Sequence, residues 1–229
     1  MGVEAGVVRR QLGALAAERV MALPMGGRGS EPGAARVGQC LQDAVTAAVA
    51  ELAAGERVVL MGLGGSLSPD YGVGDVLIYH TCVRLGTGDE LKCDRPLSLL
   101  LQSHLQNRLP RRRVEQGRGL TSDRVIWSAA EKRHLGQSHQ ASVVDMEGWT
   151  VLAALEKRGI PGAVVRVISD DCGGDIPDVG AAIGADGRLR PWPLARSLGR
   201  DPLAALRLIR GSLVGLRVLG QVAQAVGDL

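Results

Sequence analysis

Apolar residues along this chain follow two different spacings. Short apolar runs typical of strands in a covered sheet occupy residues 57–61, 75–83, 142–144 and 163–168, and residues 114–120 are interpreted as a weaker strand. Apolar residues at three- and four-residue steps predict helices over residues 37–52, 147–157 and 202–226. Because strands and helices alternate, the pattern predicts an α/β layer fold, and a further short strand is expected at residues 19–25.

The helical spacing also predicts which faces are buried. In the first helix the expected stripe comprises Val37, Leu41, Ala44, Ala48 and Leu52. Gly55 follows as the expected C-cap. In the last helix the expected inner stripe comprises Leu203, Leu206, Ile209, Leu213 and Leu216. Both stripes predict helices that pack against the sheet.

Residues 171–200 are rich in Gly, Pro and Asp and are expected to form one long loop. Loops of that length are usually functional or disordered, so we interpret this stretch as an active-site loop. No internal repeat or interdomain linker interrupts the pattern. Residues 1–229 are therefore predicted to form a single domain.

Composition narrows the class of protein. The chain is 45% hydrophobic and 22% charged, as expected of an ordered globular protein. A net charge of +3 is too small to indicate nucleic-acid binding, and the basic run 111–113 is interpreted as a solvated loop. No signal peptide and no apolar stretch of about 18 residues is visible, so we expect no transmembrane segment and a cytoplasmic location.

The four cysteines offer no metal chemistry. They lack C-x-x-C spacing and neighbouring histidines, so we expect no metal site and mostly buried free thiols at Cys40, Cys82, Cys93 and Cys172. The chain has no Phe, so its core must be filled by Leu, Val, Ile and Ala.

Three short clusters follow predicted strands, where ligands bind in covered α/β sheets. The first, Gly62-Leu63-Gly64-Gly65, would let backbone N–H groups approach a phosphate, a ribose hydroxyl or a held water. A tight turn without a ligand is the alternative. The glycines alone do not decide between the two.

Two acidic clusters follow later strands. In Asp145-Met146-Glu147 a carboxylate could accept hydrogen bonds from vicinal hydroxyls while Met packs on a sugar; helix capping is the alternative. In Ser169-Asp170-Asp171, an acid partly shielded from water would have a raised pKa and could donate a proton near neutrality. An Asx turn is the alternative there.

Taken in order, these motifs resemble a known family. The segments 62–65, 72–76, 144–147 and 165–170 are similar to those of the nucleoside phosphorylase and nucleosidase superfamily, which includes the methylthioadenosine/S-adenosylhomocysteine nucleosidases. The resemblance implies a three-layer α/β sandwich with a central twisted mixed sheet flanked by helices. It also implies an enzyme that cuts the N-glycosidic bond of a purine nucleoside without a cofactor, phosphate being a co-substrate in phosphorylases.

The C-terminal part resembles a subfamily. Ile176-Pro177, Asp186-Gly187-Arg188 and the run 197–206 look like those of the hopanoid-associated phosphorylases. That resemblance implies release of adenine from adenosylhopane. Apolar residues that could line a path to a large 5′ group are Ile176, Ile183, Leu189, Trp192 and Leu194.

The resemblance also implies roles for individual residues. Asp170 would bond to N7 of the base and protonate it, with Ser169 in support. Glu147 would hold the 2′- and 3′-hydroxyls above Met146. Val125 and Ile126 would contact the base through their backbone. The residues expected around the water or phosphate are Gly62, Gly64, Gly65 and Arg28 of the loop 26–29.

Three departures from the family pattern matter. Family members have a strand before the segment that matches residues 1–4, so the first strand is expected to be missing here: either the true start lies upstream of Met1, or the sheet has lost this strand and exposes an edge. Glu4 is the candidate for the acid that activates water, one residue from the best-matching position. Leu60 and Leu63 stand where phosphorylases hold phosphate, which favours water as the nucleophile, although Arg28 could supply charge.

Two alternatives to hydrolysis stay open. One is a phosphate-dependent purine nucleoside phosphorylase, and the other is a catalytically silent nucleoside-binding protein. Residues that could stack on the base in place of Phe are Trp127, Trp149 and Trp192. The family commonly assembles, so a homodimer or higher homo-oligomer is expected.

Overall fold

The computed structural model describes residues 35–53, 55–182 and 190–229. The strand predicted at 19–25, the glycine-rich loop at 26–29 and the candidate site residues Glu4 and Arg28 lie outside these ranges. The expectation of a missing first strand also concerns residues outside them.

The described elements alternate as the apolar pattern predicts. In chain order they are α1 (Ala35–Ala50), β1 (Val58–Ser66), β2 (Val76–Arg84), β3 (Glu90–Lys92), α2 (Arg95–Arg108), β4 (Val114–Thr121), α3 (Ala129–His139), β5 (Val143–Asp145), α4 (Gly148–Glu156), β6 (Gly162–Asp170), a 3-10 turn (Gly180–Ala182), α5 (Pro191–Arg200) and α6 (Pro202–Gly227). All five strands predicted within the described residues are present.

The strands form one mixed sheet in the order β3-β2-β4-β5-β1-β6. β1 and β6 are parallel, as are β2 and β4, whereas β5 runs antiparallel to β1. The sheet curls so far that β2 also pairs with β6, antiparallel, with Val76 opposite Val167. This curvature brings the ends of β4, β5 and β6 together.

Helices cover the sheet on both sides. Val165 and Val167 of β6 pack with Leu101 of α2 and Val218 of α6. The alternate residues Val164 and Ile168 pack on the other face with Leu152 of α4. This confirms the predicted central mixed sheet flanked by helices.

Helix α1 matches its predicted span, but its buried face is shifted. Leu41, Val45 and Val49 are buried, whereas Ala44 and Ala48 lie at the edge of the contact. The helix ends at Ala50, so the predicted C-cap at Gly55 is wrong. Gly55 instead lies in the following turn, with φ of 88°.

The buried face predicted for α6 is wrong. Leu203, Leu206, Ile209 and Leu213 are exposed, and Leu216 is only half-buried. The residues that face the sheet at this end are small ones: Ala204, Ala205, Gly211 and Gly215.

Close packing explains this inversion. A Cβ atom added at Gly211 would lie 2.0 Å from the carbonyl oxygen of Ser169. The helix approaches β6 so closely that only small residues fit between them. Size, and not hydrophobicity, therefore decides which face of α6 is inside.

The long loop predicted at 171–200 is wrong in part, because its second half contains α5. The glycine-rich turn predicted at 62–65 is also wrong. Those residues continue β1, with Gly62 opposite Arg166 and Gly65 opposite Asp170.

Cys82, Cys93 and Cys172 are free and buried, as predicted. Burial raises the pKa of the Cys93 thiol to about 12. The described residues include no cluster suited to a metal ion. Nor does any helix in these ranges have the length and apolar character needed to cross a membrane.

Candidate active site

The carboxylate of Asp145, at the end of β5, is buried and saturated with donors. Thr121 Oγ1 (2.6 Å) and the Gly148 N–H (3.2 Å) donate to Oδ1. Arg166 Nε (2.9 Å) and the Tyr79 hydroxyl (3.2 Å) donate to Oδ2. Burial, followed by the Asp145 charge, raises the pKa of Tyr79 well above its ordinary value, so its hydroxyl remains a donor. Asp145 therefore anchors the start of α4, which agrees with the capping interpretation.

Glu147 has a different role from Asp145. It precedes α4 without making a side-chain capping bond. Its carboxylate instead accepts from Arg166 Nη2 at 3.0 Å, and its side chain is 16% exposed. A partly open carboxylate held by a buried cation can still accept hydrogen bonds from a ligand.

Arg166 links these two acids, and the sequence analysis gave it no role. Its side chain is 3% exposed and reaches both Asp145 and Glu147. The signal was present in the sequence, because a buried cation in an otherwise apolar strand requires buried anions nearby.

Asp170 lies at the end of β6 and is also buried. Its Oδ2 accepts from Lys132 Nζ, and its Oδ1 accepts from the Ser169 hydroxyl at 2.8 Å. The Gly64 carbonyl is 3.3 Å from the same hydroxyl. The Ser169 hydroxyl thus links Asp170 to β1.

Lys132 of α3 is the second residue that the sequence analysis missed. It is completely buried, and its ammonium also donates to the Asp171 carbonyl at 3.2 Å. Ala129, Lys132 and Leu135 share the buried face of α3 at three-residue steps. That spacing was the available signal, since a lysine on a buried face requires a partner.

The glycines of β1 leave room for Asp170. A Cβ at Gly65 would lie 2.8 Å from Asp170 Oδ2, and one at Gly64 would lie 2.8 Å from a methyl of Val143. These residues make a tight strand contact and do not form a ligand-binding turn. Gly62 lies in the same strand, opposite Arg166.

Asp170 and Glu147 are both linked to β6, Asp170 as its last residue and Glu147 through Arg166. Val165 and Val167 point toward α6 and Arg166 points away from it, and a register shift between Gly64 and Gly65 interrupts the alternation before Asp170. Strand register places Arg166 beside Gly62 and Asp170 beside Gly65. Both carboxylates are thus tied to this strand by a buried cation, Asp170 by Lys132 and Glu147 by Arg166.

The other residues predicted to contact the nucleoside lie in the segments that follow β4 and β5. The Ser122 N–H donates to the Asp145 carbonyl at 2.8 Å, so the segment that follows β4 lies beside β5. In that segment Val125 is half-buried and Ile126 is buried with Leu67 and Leu135. Met146, which stands between Asp145 and Glu147 in the sequence, is half-buried.

The three tryptophans occupy different settings. Trp127 is 38% exposed next to Ile176, whose N–H donates to the Trp127 carbonyl at 3.0 Å. The Trp149 ring packs under Arg84, 4.8 Å from its guanidinium carbon. Trp192 on α5 is 85% exposed. Trp127 is therefore the one placed beside the segment expected to contact the base.

Two cavities open on this part of the surface. One of about 160 Å³ is lined by Trp127, residues 175–178 and the junction of α5 with α6. The other, of about 390 Å³, is a groove along α6. Neither cavity is lined by Asp170 or Glu147.

Comparison with known proteins gives a consistent family. The family model described as the phosphorylase superfamily matches residues 6–184. The aminodeoxyfutalosine nucleosidase of Helicobacter pylori strain J99 is 28% identical over 130 residues, which cover 51% of this chain and 56% of that protein. The chain thus spans about half the length of this curated relative.

Solved structures share the fold. The methylthioadenosine/S-adenosylhomocysteine nucleosidase of Neisseria meningitidis in complex with methylthio-immucillin-A gives a TM-score of 0.60 at 17% identity, covering 82% of this chain and 76% of that one. The futalosine hydrolase of Helicobacter pylori strain 26695 gives 0.54 at 19% identity, with the same two coverages. At these identities the likeness establishes the architecture alone.

Proposed function

This chain belongs to the phosphorylase superfamily, and on that premise we propose that it breaks the N-glycosidic bond of an adenosine-type nucleoside with water as the nucleophile. The observation that carries the proposal is a pair of carboxylates tied to β6, each held by a buried cation. Asp170 is held by Lys132 and Ser169, and Glu147 is held by Arg166.

The two ends of this pair suit the two charges that develop. As the bond between C1′ and N9 breaks, its electrons pass to the base and the ribose becomes cationic. Asp170 delivers a proton to N7, which makes the base a better leaving group. Glu147 accepts hydrogen bonds from the ribose hydroxyls and stabilises the positive sugar. Met146, Val125 and Ile126 complete the contacts to sugar and base.

Lys132 positions Asp170 and supplies its proton. One Lys132 N–H bond breaks as the Asp170 O–H bond forms, and that O–H bond breaks in turn as the proton reaches N7. Water adds to C1′ and releases the proton that restores Lys132. Each cycle converts nucleoside and water into ribose and free base.

Water is preferred to phosphate as the nucleophile because leucines stand at the positions where phosphorylases of this family hold phosphate. Leu60 and Leu63 pack into the apolar clusters on the two faces of the sheet. Neither side chain can hold an anion. Glu4 is proposed to orient the water and Arg28 to lie near it. A cytoplasmic location and a homodimer or higher assembly stay predictions of the sequence.

For the substrate we propose adenosine with a large apolar 5′ substituent, adenosylhopane being the candidate. Support comes from the resemblance of residues 176–206 to the hopanoid-associated phosphorylases. Ile176 is buried and Leu194 is half-buried near the 160 Å³ cavity, whereas Trp192 points to solvent. Ile183 and Leu189 lie outside the described residues.

The test measures adenine release from adenosine, methylthioadenosine and 5′-alkyl adenosines of increasing chain length, with and without phosphate. We expect release without phosphate, with kcat/KM rising as the 5′ group lengthens. Strict dependence on phosphate would instead assign phosphorolysis. Binding of adenine without any turnover would assign a silent nucleoside-binding protein.

A further inference from the structure

The first half of α6 turns large apolar side chains toward solvent. Leu203 is 79% exposed and Leu213 is 62% exposed, and Leu206 and Ile209 are both about half exposed. This follows from the packing of the opposite face, where small residues bring the helix close to β6. A contiguous apolar stripe of this kind on a globular protein marks an interaction surface.

Arginines share this stripe. Leu206, Arg210, Leu213 and Arg217 follow one another at steps of four, three and four residues, which places them along one line of the helix. Both arginines are exposed. We name the whole set the arginine–leucine face; it comprises Leu203, Leu206, Ile209, Arg210, Leu213 and Arg217.

The charge around the arginine–leucine face has one sign. Residues 190–217 contain six arginines and one acid, Asp201. That acid is already used as the N-cap of α6, where it accepts from the N–H groups of Leu203 and Ala204 at 3.1 and 2.9 Å. The surface is therefore both apolar and strongly cationic.

This charge argues against a second copy of the chain as the occupant. A two-fold interface places the same patch of both subunits together, so Arg210 and Arg217 would face their own counterparts. Residues 202–217 supply no carboxylate to offset that repulsion. A homodimer would therefore use a different surface.

We propose that the arginine–leucine face docks on the surface of an anionic lipid bilayer. Helices that lie in the membrane interface combine an apolar stripe with arginines, whose long stems follow the apolar surface while the guanidinium groups reach the phosphates. The 390 Å³ groove on this face has apolar walls from Leu203, Leu206 and Val214 and is also lined by Arg207 and Arg210, so it offers an acyl chain a place to enter next to two guanidinium groups. The exposed Trp192 on the adjoining α5 suits the headgroup region.

The experiment is vesicle co-sedimentation of the full chain at low ionic strength. Vesicles of phosphatidylcholine alone are compared with vesicles that also contain phosphatidylglycerol. We expect binding to the anionic vesicles, weakened by added salt. Arg210→Gln/Arg217→Gln should weaken binding by about 30-fold, since each basic residue near the surface contributes about a factor of five. Leu206→Gln/Leu213→Gln should weaken it by at least about tenfold.

The matched control is Leu99→Gln/Leu100→Gln, which removes two exposed leucines of α2 (47% and 42% exposed) and should bind as the parent does. Circular dichroism confirms that each variant is folded. Absence of parent binding to anionic vesicles would overturn the proposal, as would equal loss in the α2 control. Light scattering that shows a dimer dissociated by Leu206→Gln/Leu213→Gln would assign the face to a second copy.

Discussion

Two buried aspartates end strands β5 and β6, which lie on either side of β1, and they differ in how many donors they meet. Asp145 of β5 accepts from four groups, two on each oxygen. Within the described part of the chain, Asp170 of β6 accepts from Lys132 and Ser169, one on each oxygen. A carboxylate has about four lone-pair sites, so Asp145 is full and Asp170 keeps capacity for a ligand. Both carboxylates are buried beside a cation. They differ in whether an oxygen can still accept a hydrogen bond from a ligand, and this difference separates the structural Asp145 from the reactive Asp170.

The largest expected effect comes from removing the Asp170 pair as a unit. Asp170→Asn/Lys132→Met replaces both charges, so stability should stay close to that of the parent. Adenine release should fall by about 10²–10⁴-fold, because the base leaves without a proton. Urea denaturation and an adenine-release assay on the same samples check both halves. Full activity in this folded double variant would show that Asp170, like Asp145, takes no part in the reaction.

Removing Lys132 alone should cost stability. Lys132→Met leaves Asp170 buried without its cation, which we expect to lower the free energy of unfolding by roughly 3–5 kcal/mol. Lys92→Met, at an exposed lysine of β3, is the matched control and should change stability by less than about 0.5 kcal/mol. Equal urea midpoints for the two variants would show that the buried ion pair contributes nothing.

Replacing Asp145 should lower stability and leave activity nearly unchanged, the reverse of what we expect for Asp170→Asn/Lys132→Met. Asp145→Asn keeps acceptor capacity for Thr121 and Gly148 but loses the charge opposite Arg166, which Glu147 still partly neutralises. We expect a loss of about 1.5–3 kcal/mol in the free energy of unfolding. Base release per folded molecule should change by less than about tenfold. A loss of activity as large as that of the double variant would place Asp145 in the reaction.

The sequence predicted every described strand but β3 and named Glu147 and Asp170 as candidate acids, because motifs at strand ends are local, but it ended β1 at residue 61 when the strand continues to Ser66. It missed Lys132 and Arg166, whose partners lie 38 and 21 residues away and meet them only in the folded chain. It also assigned the wrong face of α6, since leucines and small residues form two apolar arcs on that helix. The close contacts of Gly211 and Gly215 with Ser169, which form only in the folded chain, show that the small residues face inward.

The smallest expected effect concerns the ionisation of Tyr79, whose hydroxyl donates a hydrogen bond to Asp145. The pKa of Tyr79 is raised well above its ordinary value by burial and by the Asp145 charge, so folding favours the neutral phenol. Its stabilising contribution is full below the unfolded pKa near 10 and is lost as the pH rises above that value. In Tyr71→Phe, which leaves Tyr79 as the single tyrosine, tyrosinate absorbance should appear only as the protein unfolds. Half-ionisation of Tyr79 near pH 10 in the folded protein would contradict its burial beside the Asp145 charge.

The most direct test of the Asp170 assignment compares two leaving groups. One substrate is adenosine, whose base needs a proton to leave, and the other is p-nitrophenyl ribofuranoside, whose phenolate leaves without one. We predict that Asp170→Asn/Lys132→Met slows adenine release by at least about 100-fold and nitrophenolate release far less. Equal slowing of both substrates would contradict proton delivery by Asp170.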